Sequence, residues 1–293
     1  RVQGNLAFVT LRKGMFSCQA IAAKSDAIPK EMIKYIESVP RESVVDIEGE
    51  VTAAKEEVHG TTQKTIELQI KKFYVIGRAE ELPFILEDAC RKLEEGEDEE
   101  AIQAEKPADE KTVKLPVVSL TTRLDHRTLD LRVPAHVAIF RIQSETGALF
   151  REYLSKQGFI EIHSPKILGG SSEGGSEVFR LQYFNQPASL AQSPQLFKQM
   201  AILAEFGKVF EIGPVFRAEN SNTPRHLCEF TGLDFEMEIK ESYMEIVDTI
   251  GELFNHIFRG LNERCKKELE VVCKQYPFKP FEWSDKFLAL TFE

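Results

Sequence analysis

The stretch VFEIGPVFRAENSNTPRHLCEFTGLDFEME, from Val209 to Glu238, decides the fold of the second half of this chain. Two segments of it, 209–216 and 230–239, are rich in β-branched and aromatic residues, and the residues between them, 220–224, are typical of a turn. The pattern predicts two antiparallel strands joined by a polar loop. Charged and aromatic side chains lie where strand meets loop: Arg217, Glu219, Arg225, His226, Phe230 and Asp234.

Side chains of these types at the end of a hairpin can bind a nucleoside triphosphate. An Arg can donate two parallel hydrogen bonds to a phosphate. A Glu can accept from the adenine amino group, a Phe can stack on the ring, and cations in the loop can hold the outer phosphates. The alternative is a surface hairpin with an ordinary Arg–Glu ion pair. The hairpin alone leaves both interpretations open.

The composition indicates a soluble globular protein. The chain has 293 residues, 42% of them hydrophobic and 29% charged, which is enough for two domains. No apolar run reaches the length of a membrane span, and no signal peptide opens the chain. The 5 cysteines are scattered without C-x-x-C spacing, which predicts free thiols in a cytoplasmic protein rather than a zinc site. Because the chain starts at Arg1 without Met, we expect a trimmed N-terminus.

The net charge of −10 is concentrated in one segment. Residues 79–115 hold 5 Lys and Arg against 13 Asp and Glu, a net charge of −8. A local cationic patch is what binds a phosphate backbone, so the total charge is weak evidence against an RNA partner. The acidic insert 94–110 is too charged to bury and predicts a solvated spacer; a docking tail for a protein partner is the alternative.

Residues 1–78 predict a small closed barrel of the OB-fold type. The expected strands are Leu6–Leu11, Phe16–Ala22, Ser43–Glu50 and Thr65–Val75, with a helix at Lys30–Ser38 and an opening strand upstream of Arg1. Residues 79–133 are interpreted as an acidic linker that contains a helix near Leu82–Leu93. Residues 134–293 form the second predicted domain.

The second domain is predicted to open on a long helix. Apolar residues recur at helical spacing from Ala135 to Gln157, and Gly158 ends the helix. A strand over 159–162 stops before Pro165, and a second amphipathic helix near 241–259 has a packing role.

Two further stretches suit an amino-acid substrate. The glycine-rich segment 169–175 lacks the Gly-Lys-Ser/Thr ending of a phosphate-binding loop and predicts a closing lid, in which Glu173 offers a carboxylate to an ammonium group. Gln195 and Lys198, three residues apart on a helix that begins near Pro194, share one face. An amide and an ammonium together suit an acidic side chain. A flexible loop and a solvated helix face are the alternatives.

Together, Ser172-Glu173-Gly174-Gly175, Gln192-Ser193-Pro194-Gln195-x-x-Lys198 and the Val209–Glu238 hairpin resemble the aspartyl-tRNA synthetases of the archaeal and eukaryotic branch, in subclass IIb beside the lysyl and asparaginyl enzymes. The similarity covers the chain apart from the acidic insert. It implies an α+β fold, with an N-terminal OB-fold barrel for the anticodon and a class II antiparallel sheet flanked by helices. The helix, strand and proline of 135–165 resemble the first class II signature, which builds a homodimer interface.

The resemblance also implies roles for individual residues. Arg217 is the expected catalytic residue, bridging the substrate carboxylate and the α-phosphate. The expected aspartate-binding residues are Glu173, Gln195, Lys198, Arg217 and Asp234, and the expected ATP-binding residues are Arg217, Glu219, Arg225, His226, Leu227 and Phe230. The expected anticodon contacts are Phe8, which would stack on a base, and Gln19 and Glu67, which would bind base edges.

The implied reaction is ATP-dependent activation of L-aspartate and its transfer to tRNA(Asp). The third class II signature and the Mg²⁺ ligands are expected outside this chain, so no metal site is predicted within it. The alternatives are a non-catalytic fragment that binds tRNA or dimerises, an asparaginyl-tRNA synthetase, and an aspartate–ammonia ligase. Lys198 favours aspartate over asparagine because a cation pairs with a carboxylate better than with an amide. The barrel argues against the ligase.

Overall fold

The computed structural model describes residues 1–91, 116–170, 178–221, 223, 225–284 and 287–290. The acidic insert and Glu173 lie outside the described residues. The chain divides into two compact units, Arg1–Phe140 with Lys267–Phe278, and Arg141–Lys266 with Lys279–Glu293. The fold is mixed α+β. No helix among the described residues combines the length and the apolar character needed to cross a membrane.

The strands are β1 (Val2–Gln3), β2 (Leu6–Lys13), β3 (Phe16–Ala23), β4 (Val44–Ala53), β5 (Ile66–Gly77), β6 (Ile160–Glu161), β7 (Ile167–Leu168), β8 (Arg180–Tyr183), β9 (Gln186–Leu190), β10 (Lys208–Phe216) and β11 (Glu229–Met237). The helices are α1 (Lys30–Ser38), α2 (Leu86–Ala89), α3 (Leu120–Asp125), α4 (Arg127–Asp130), α5 (Pro134–Lys156), α6 (Gln195–Ala201), α7 (Met244–Arg264) and α8 (Lys266–Gln275). A π turn, Ile202–Phe206, follows α6.

The first unit contains a five-stranded sheet in the order β1-β2-β3-β5-β4. β3 and β5 are parallel, and the other neighbours are antiparallel. The predicted strands and the predicted helix of residues 1–78 are confirmed.

The predicted closure of this sheet into a barrel is not shown by the pairing of the described strands. Within the described residues β4 pairs only with β5, and β1 pairs only with β2. β1 is two residues long and is joined to β2 at Val2↔Ala7 and Gln3↔Leu6. So short a strand offers too few backbone groups to close the sheet against the ten-residue β4.

Small residues on the sheet let α1 pack closely against it. Ala7, Ala20 and Ala22 on β2 and β3 are fully buried, and Ile33 and Ile36 of α1 pack in the same cluster. Burying an Ile side chain contributes about 1.5–3 kcal/mol, so the apolar face of α1 holds the helix on the sheet.

Part of the predicted linker is a packed core. Ser119 caps α3 by accepting a hydrogen bond from the Thr122 backbone N–H at 3.2 Å. α8 joins this core, because Gln275 Nε2 donates to the Ala89 carbonyl at 3.0 Å and the Tyr276 hydroxyl lies 3.1 Å from His136 Nε2. The buried apolar residues are Phe84, Leu86, Ala89, Leu129, Val133 and Ala135.

The second unit is built on the predicted hairpin. β11, β10 and β6 form one three-stranded sheet, and β7, β9 and β8 form another. Phe150 of α5 packs edge-on against Phe210 of β10, with ring centroids 5.9 Å apart. α7 also approaches α5 closely: a Cβ at Gly260 would lie 2.4 Å from Leu149 Cδ2. The predicted long helices 135–157 and 241–259 are confirmed, the second extending to Arg264.

Candidate active site

One face of the hairpin carries three of the predicted side chains, those of Arg217, Phe230 and Asp234. β10 and β11 pair from Lys208↔Met237 to Phe216↔Glu229. Residues directly opposite each other in an antiparallel pair share a face, and so do alternate residues along a strand. We call this surface the site face; it consists of Glu211, Gly213, Val215, Arg217, Phe230, Gly232, Asp234 and Glu236.

Lys198 of α6 is buried against the site face, with 3% of its surface exposed. Its Nζ donates to Asp234 Oδ1 at 3.4 Å and to the Phe235 carbonyl at 3.2 Å, and lies 3.5 Å from Glu236 Oε2. A buried ammonium is stable only when it is paired, and two carboxylates here meet that need. The ammonium is therefore fixed at one position on the site face.

Gln195 lies on the same face of α6 as Lys198, as its spacing predicts. Its Nε2 donates to Glu236 Oε2 at 3.3 Å, the same oxygen that Lys198 approaches. Sequence reasoning missed Glu236. The signal was its position two residues after Asp234, which on a strand places both side chains on one face.

Arg217 and Phe230 meet at the end of the hairpin. The Arg217 guanidinium carbon lies 5.6 Å from the centroid of the Phe230 ring, a cation–π contact. The Arg217 Nε is buried and has no hydrogen-bond partner in the part of the chain that the structure describes. A buried donor without a partner is costly, so this guanidinium is suited to accept an anionic ligand.

The other predicted ATP-binding residues lie in the loop between β10 and β11. Glu219 is held next to Arg217 by its backbone N–H, which donates to the Arg217 carbonyl at 2.8 Å. His226 Nδ1 is 2.6 Å from Thr223 Oγ1. Arg225, His226 and Leu227 are exposed to solvent. Within the described residues, no hydrogen bond joins the side chains of this loop to Lys198 or Gln195.

Two opposed glycines in the middle of the site face make room for two carboxylates. Gly213 and Gly232 are directly opposite in the β10–β11 ladder. A Cβ at Gly213 would lie 2.9 Å from Glu211 Oε1, and a Cβ at Gly232 would lie 2.7 Å from Asp234 Oδ2. Any larger residue would therefore displace a carboxylate.

Glu211, which sequence reasoning also missed, is buried beside these glycines with 2% of its surface exposed. One carboxylate oxygen forms an ion pair with Lys166 Nζ. The other accepts from the Ser164 backbone N–H at 3.1 Å. Neither Glu211 nor Lys166 stands out in the sequence, because a Glu in a strand and a Lys after a Pro are common.

The three predicted anticodon contacts lie on one face of the first unit's sheet. Gln19 and Glu67 are register partners of β3 and β5, and Gln19 Nε2 donates to Glu67 Oε1 at 2.6 Å. Phe8 is opposite Ile21 and is half-buried. It is outside the buried cluster that Ala7 joins from the other side of the strand.

The described residues contain no candidate metal centre. No group of three or more His, Cys, Asp and Glu side chains there is arranged to hold a metal ion.

The family model described as tRNA synthetases class II (D, K and N) matches residues 119–293. The chain therefore belongs to this class II family, whose letters denote aspartate, lysine and asparagine.

The relatives that the chain resembles in sequence are named for one of these amino acids, aspartate. It is 48% identical to the cytoplasmic aspartate–tRNA ligase 1 of Dictyostelium discoideum over 100% of the chain and 54% of the relative. It is 51% identical to the cytoplasmic aspartate–tRNA ligase 2 of Arabidopsis thaliana over 98% of the chain and 50% of the relative. It is 44% identical to the cytoplasmic aspartate–tRNA ligase of Homo sapiens over 100% of the chain and 56% of the relative. The chain spans about half the length of the curated relatives it matches.

Solved structures agree with the sequence relatives. A putative aspartyl-tRNA synthetase from Leishmania major Friedlin has a TM-score of 0.85 and 45% identity, covering 97% of this chain and 51% of that one. The aspartyl-tRNA synthetase of Entamoeba histolytica has a TM-score of 0.78 and 46% identity, covering 95% and 53%. An asparaginyl-tRNA synthetase from Pyrococcus horikoshii, complexed with asparaginyl-adenylate, has a TM-score of 0.74 and 30% identity, covering 92% and 54%.

Proposed function

We propose that this protein is an aspartate–tRNA ligase, which activates L-aspartate with ATP and transfers it to tRNA(Asp). The observation that carries the proposal is the buried Lys198 ammonium on the site face that also holds Arg217. Two fixed cations on one surface suit a dicarboxylic amino acid. The names of the relatives at 44–51% identity support the same substrate.

In the proposed reaction an α-carboxylate oxygen of aspartate attacks the α-phosphorus of ATP. The new P–O bond forms aspartyl-adenylate, and the bond to pyrophosphate breaks. Arg217 bridges the carboxylate and the α-phosphate, where its guanidinium stabilises the charge that develops. A ribose hydroxyl at the 3′ end of the tRNA then takes the aspartyl group and releases AMP.

The remaining residues bind and orient the substrates. Lys198 pairs with the side-chain carboxylate of aspartate, with Gln195 and Asp234 beside it. Glu173 closes over the substrate ammonium. For ATP, Phe230 stacks on the adenine that Glu219 reads, and the loop residues 225–227 contact the nucleotide, with Arg225 and His226 on the outer phosphates.

Magnesium is the cofactor expected with ATP, and it would neutralise phosphate charge when bound. Because the described residues offer no group of ligands for it, we assign it no step.

The first unit is proposed to be an OB-fold that binds the tRNA anticodon. In support, its helix α1 follows the third strand, and the sheet order places β5 between β3 and β4. Phe8 stacks on a base in this proposal, while Gln19 and Glu67 bind base edges. Phe8→Ala should then cost about 1–3 kcal/mol of tRNA(Asp) binding and leave amino-acid activation intact. If activation falls while tRNA binding is retained, Phe8 is a packing residue.

The protein is further proposed to act in the cytoplasm as a homodimer that α5 helps to form. The relatives named cytoplasmic support the compartment. Ile139 and Phe140 of α5, which are 41% and 51% exposed, support the interface. Light scattering of the purified protein tests the dimer, and a monomer at micromolar concentration would contradict it.

ATP–pyrophosphate exchange, with aspartate, asparagine and lysine in parallel, tests the activity. We expect exchange with aspartate alone, since a cation at Lys198 gains little from an amide. Exchange with asparagine would favour the alternative that the asparaginyl structures represent. Exchange with none of the three, together with tRNA binding, would leave a non-catalytic tRNA-binding protein.

A further inference from the structure

The Lys166–Glu211 pair lies beside the proposed aspartate-binding residues and has no role in the proposed function. Lys166 directly precedes β7, and its Nζ also donates to Ser164 Oγ at 2.9 Å. Its side chain is 20% exposed, whereas that of Glu211 is 3% exposed. With the Ser164 backbone N–H on its second oxygen, the Glu211 carboxylate is held in one orientation.

This pair is next to the charges that hold the amino acid. Glu211 is the register partner of Asp234, to which Lys198 donates. The carboxyl groups of Glu211 and Asp234 both lie over the Gly213–Gly232 pair, close to the two positions that Cβ atoms would occupy. Lys166 Nζ lies 3.5 Å from the first of those positions. Two ion pairs, Lys166–Glu211 and Lys198–Asp234, therefore lie on either side of the Gly213–Gly232 pair.

We propose that Lys166 is a positioning residue that lets this site accept an anionic amino acid, by neutralising Glu211 beside the pocket. The inference rests on the proposed aspartate activation. Lys198 already shares its charge between Asp234 and Glu236, at 3.4 and 3.5 Å. A third carboxylate without a cation would repel the incoming side-chain carboxylate of aspartate and compete for Lys198.

The expected change in aspartate affinity can be calculated from Coulomb's law. A unit charge roughly 10 Å from a charged ligand, at an effective dielectric constant near 20, changes the affinity for that ligand by about tenfold. The repulsion acts on an anionic ligand and leaves a neutral one of the same shape almost untouched. A pair that only fixed the backbone of residues 164–166 to β10 would affect both ligands alike.

The experiment measures ATP–pyrophosphate exchange by Lys166→Met in the purified protein. We expect the KM for aspartate to rise about tenfold, equivalent to ~1.4 kcal/mol, with kcat and the KM for ATP within twofold. The inhibition constant of L-asparagine, added as a neutral competitor, should stay within twofold. The double variant Lys166→Met/Glu211→Gln should bring the KM for aspartate back to within threefold. Lys72→Met, which removes an exposed lysine ion pair in the first unit, is the matched control.

Three results would overturn the inference: an unchanged KM for aspartate in Lys166→Met, a parallel rise in the asparagine inhibition constant, or no recovery in the double variant. Wild-type protein without aspartate-dependent exchange would overturn the proposed function itself. That outcome is read before any variant is made, so the two failures are distinguishable.

Discussion

Replacing Lys198 with Met tests the amino-acid pocket directly, because Met retains the apolar stem and removes the charge. The lost hydrogen bond to a charged substrate group is worth about 1.5–3 kcal/mol. Asp234 and Glu236 are left without their cation, but their side chains are 33% and 27% exposed, so water screens part of the repulsion. Adding up to about 1 kcal/mol for that repulsion gives a total of about 1.5–4 kcal/mol.

This loss corresponds to a fall in kcat/KM for aspartate of between about tenfold and 10³-fold. The assay is ATP–pyrophosphate exchange over a range of aspartate concentrations, with thermal melting to verify the fold. Lys208→Met is the matched control, because Lys208 is on β10 but on the face opposite to the site face. Its Nζ lies 5.4 Å from the centroid of the Phe159 ring. If Lys198→Met retains kcat/KM within threefold while the control behaves as wild type, Lys198 does not bind the substrate.

Three further substitutions have defined outcomes. Arg217→Ala should reduce adenylate formation by ~10² or more, measured in single turnover, and near-normal formation would refute its catalytic role. Gly260→Ala should lower the free energy of unfolding by up to about 2 kcal/mol, since overlap with Leu149 outweighs the ~1 kcal/mol gain in helix propensity; a higher Tm would contradict the close contact. Backbone N–H groups of Glu241 and Ser242 hold the pKa of Glu245 below its usual range. The stability that this residue provides is therefore fully present above its usual pKa of about 4.5 and is lost as the pH falls through the lowered pKa, so the Tm difference between wild type and Glu245→Gln should shrink toward zero over that fall in pH.

The sequence predicted those elements whose pattern is local. The hairpin over 209–238 combines β-branched strands with turn residues, and both signals act over a few residues. The helix Lys30–Ser38 was predicted from apolar spacing alone. Gln195 and Lys198 could be paired because their spacing on a helix fixes their common face.

The rest depends on partners distant in the chain. Sheet closure could not be read from the sequence, because it depends on which strand pairs with the edge of β4. The position of Glu211 at the site could be inferred only from the β10–β11 register, which sets it opposite Asp234. Its ion-pair partner, Lys166, is 45 residues earlier in the chain. The helices α3 and α4 fall within the predicted linker 79–133. The acidic composition of residues 79–115 outweighs their short helical pattern in a prediction from sequence.

The way α8 completes the first unit has a consequence for synthesis on the ribosome. Gln275 donates to the carbonyl of Ala89, which is 186 residues earlier. At a translation rate of 5–20 residues per second, roughly 10–40 s separate the two partners. During that interval the apolar surface around Ala89 emerges without the helix that packs on it, and the first unit can complete its packing only after residue 278 has left the exit tunnel.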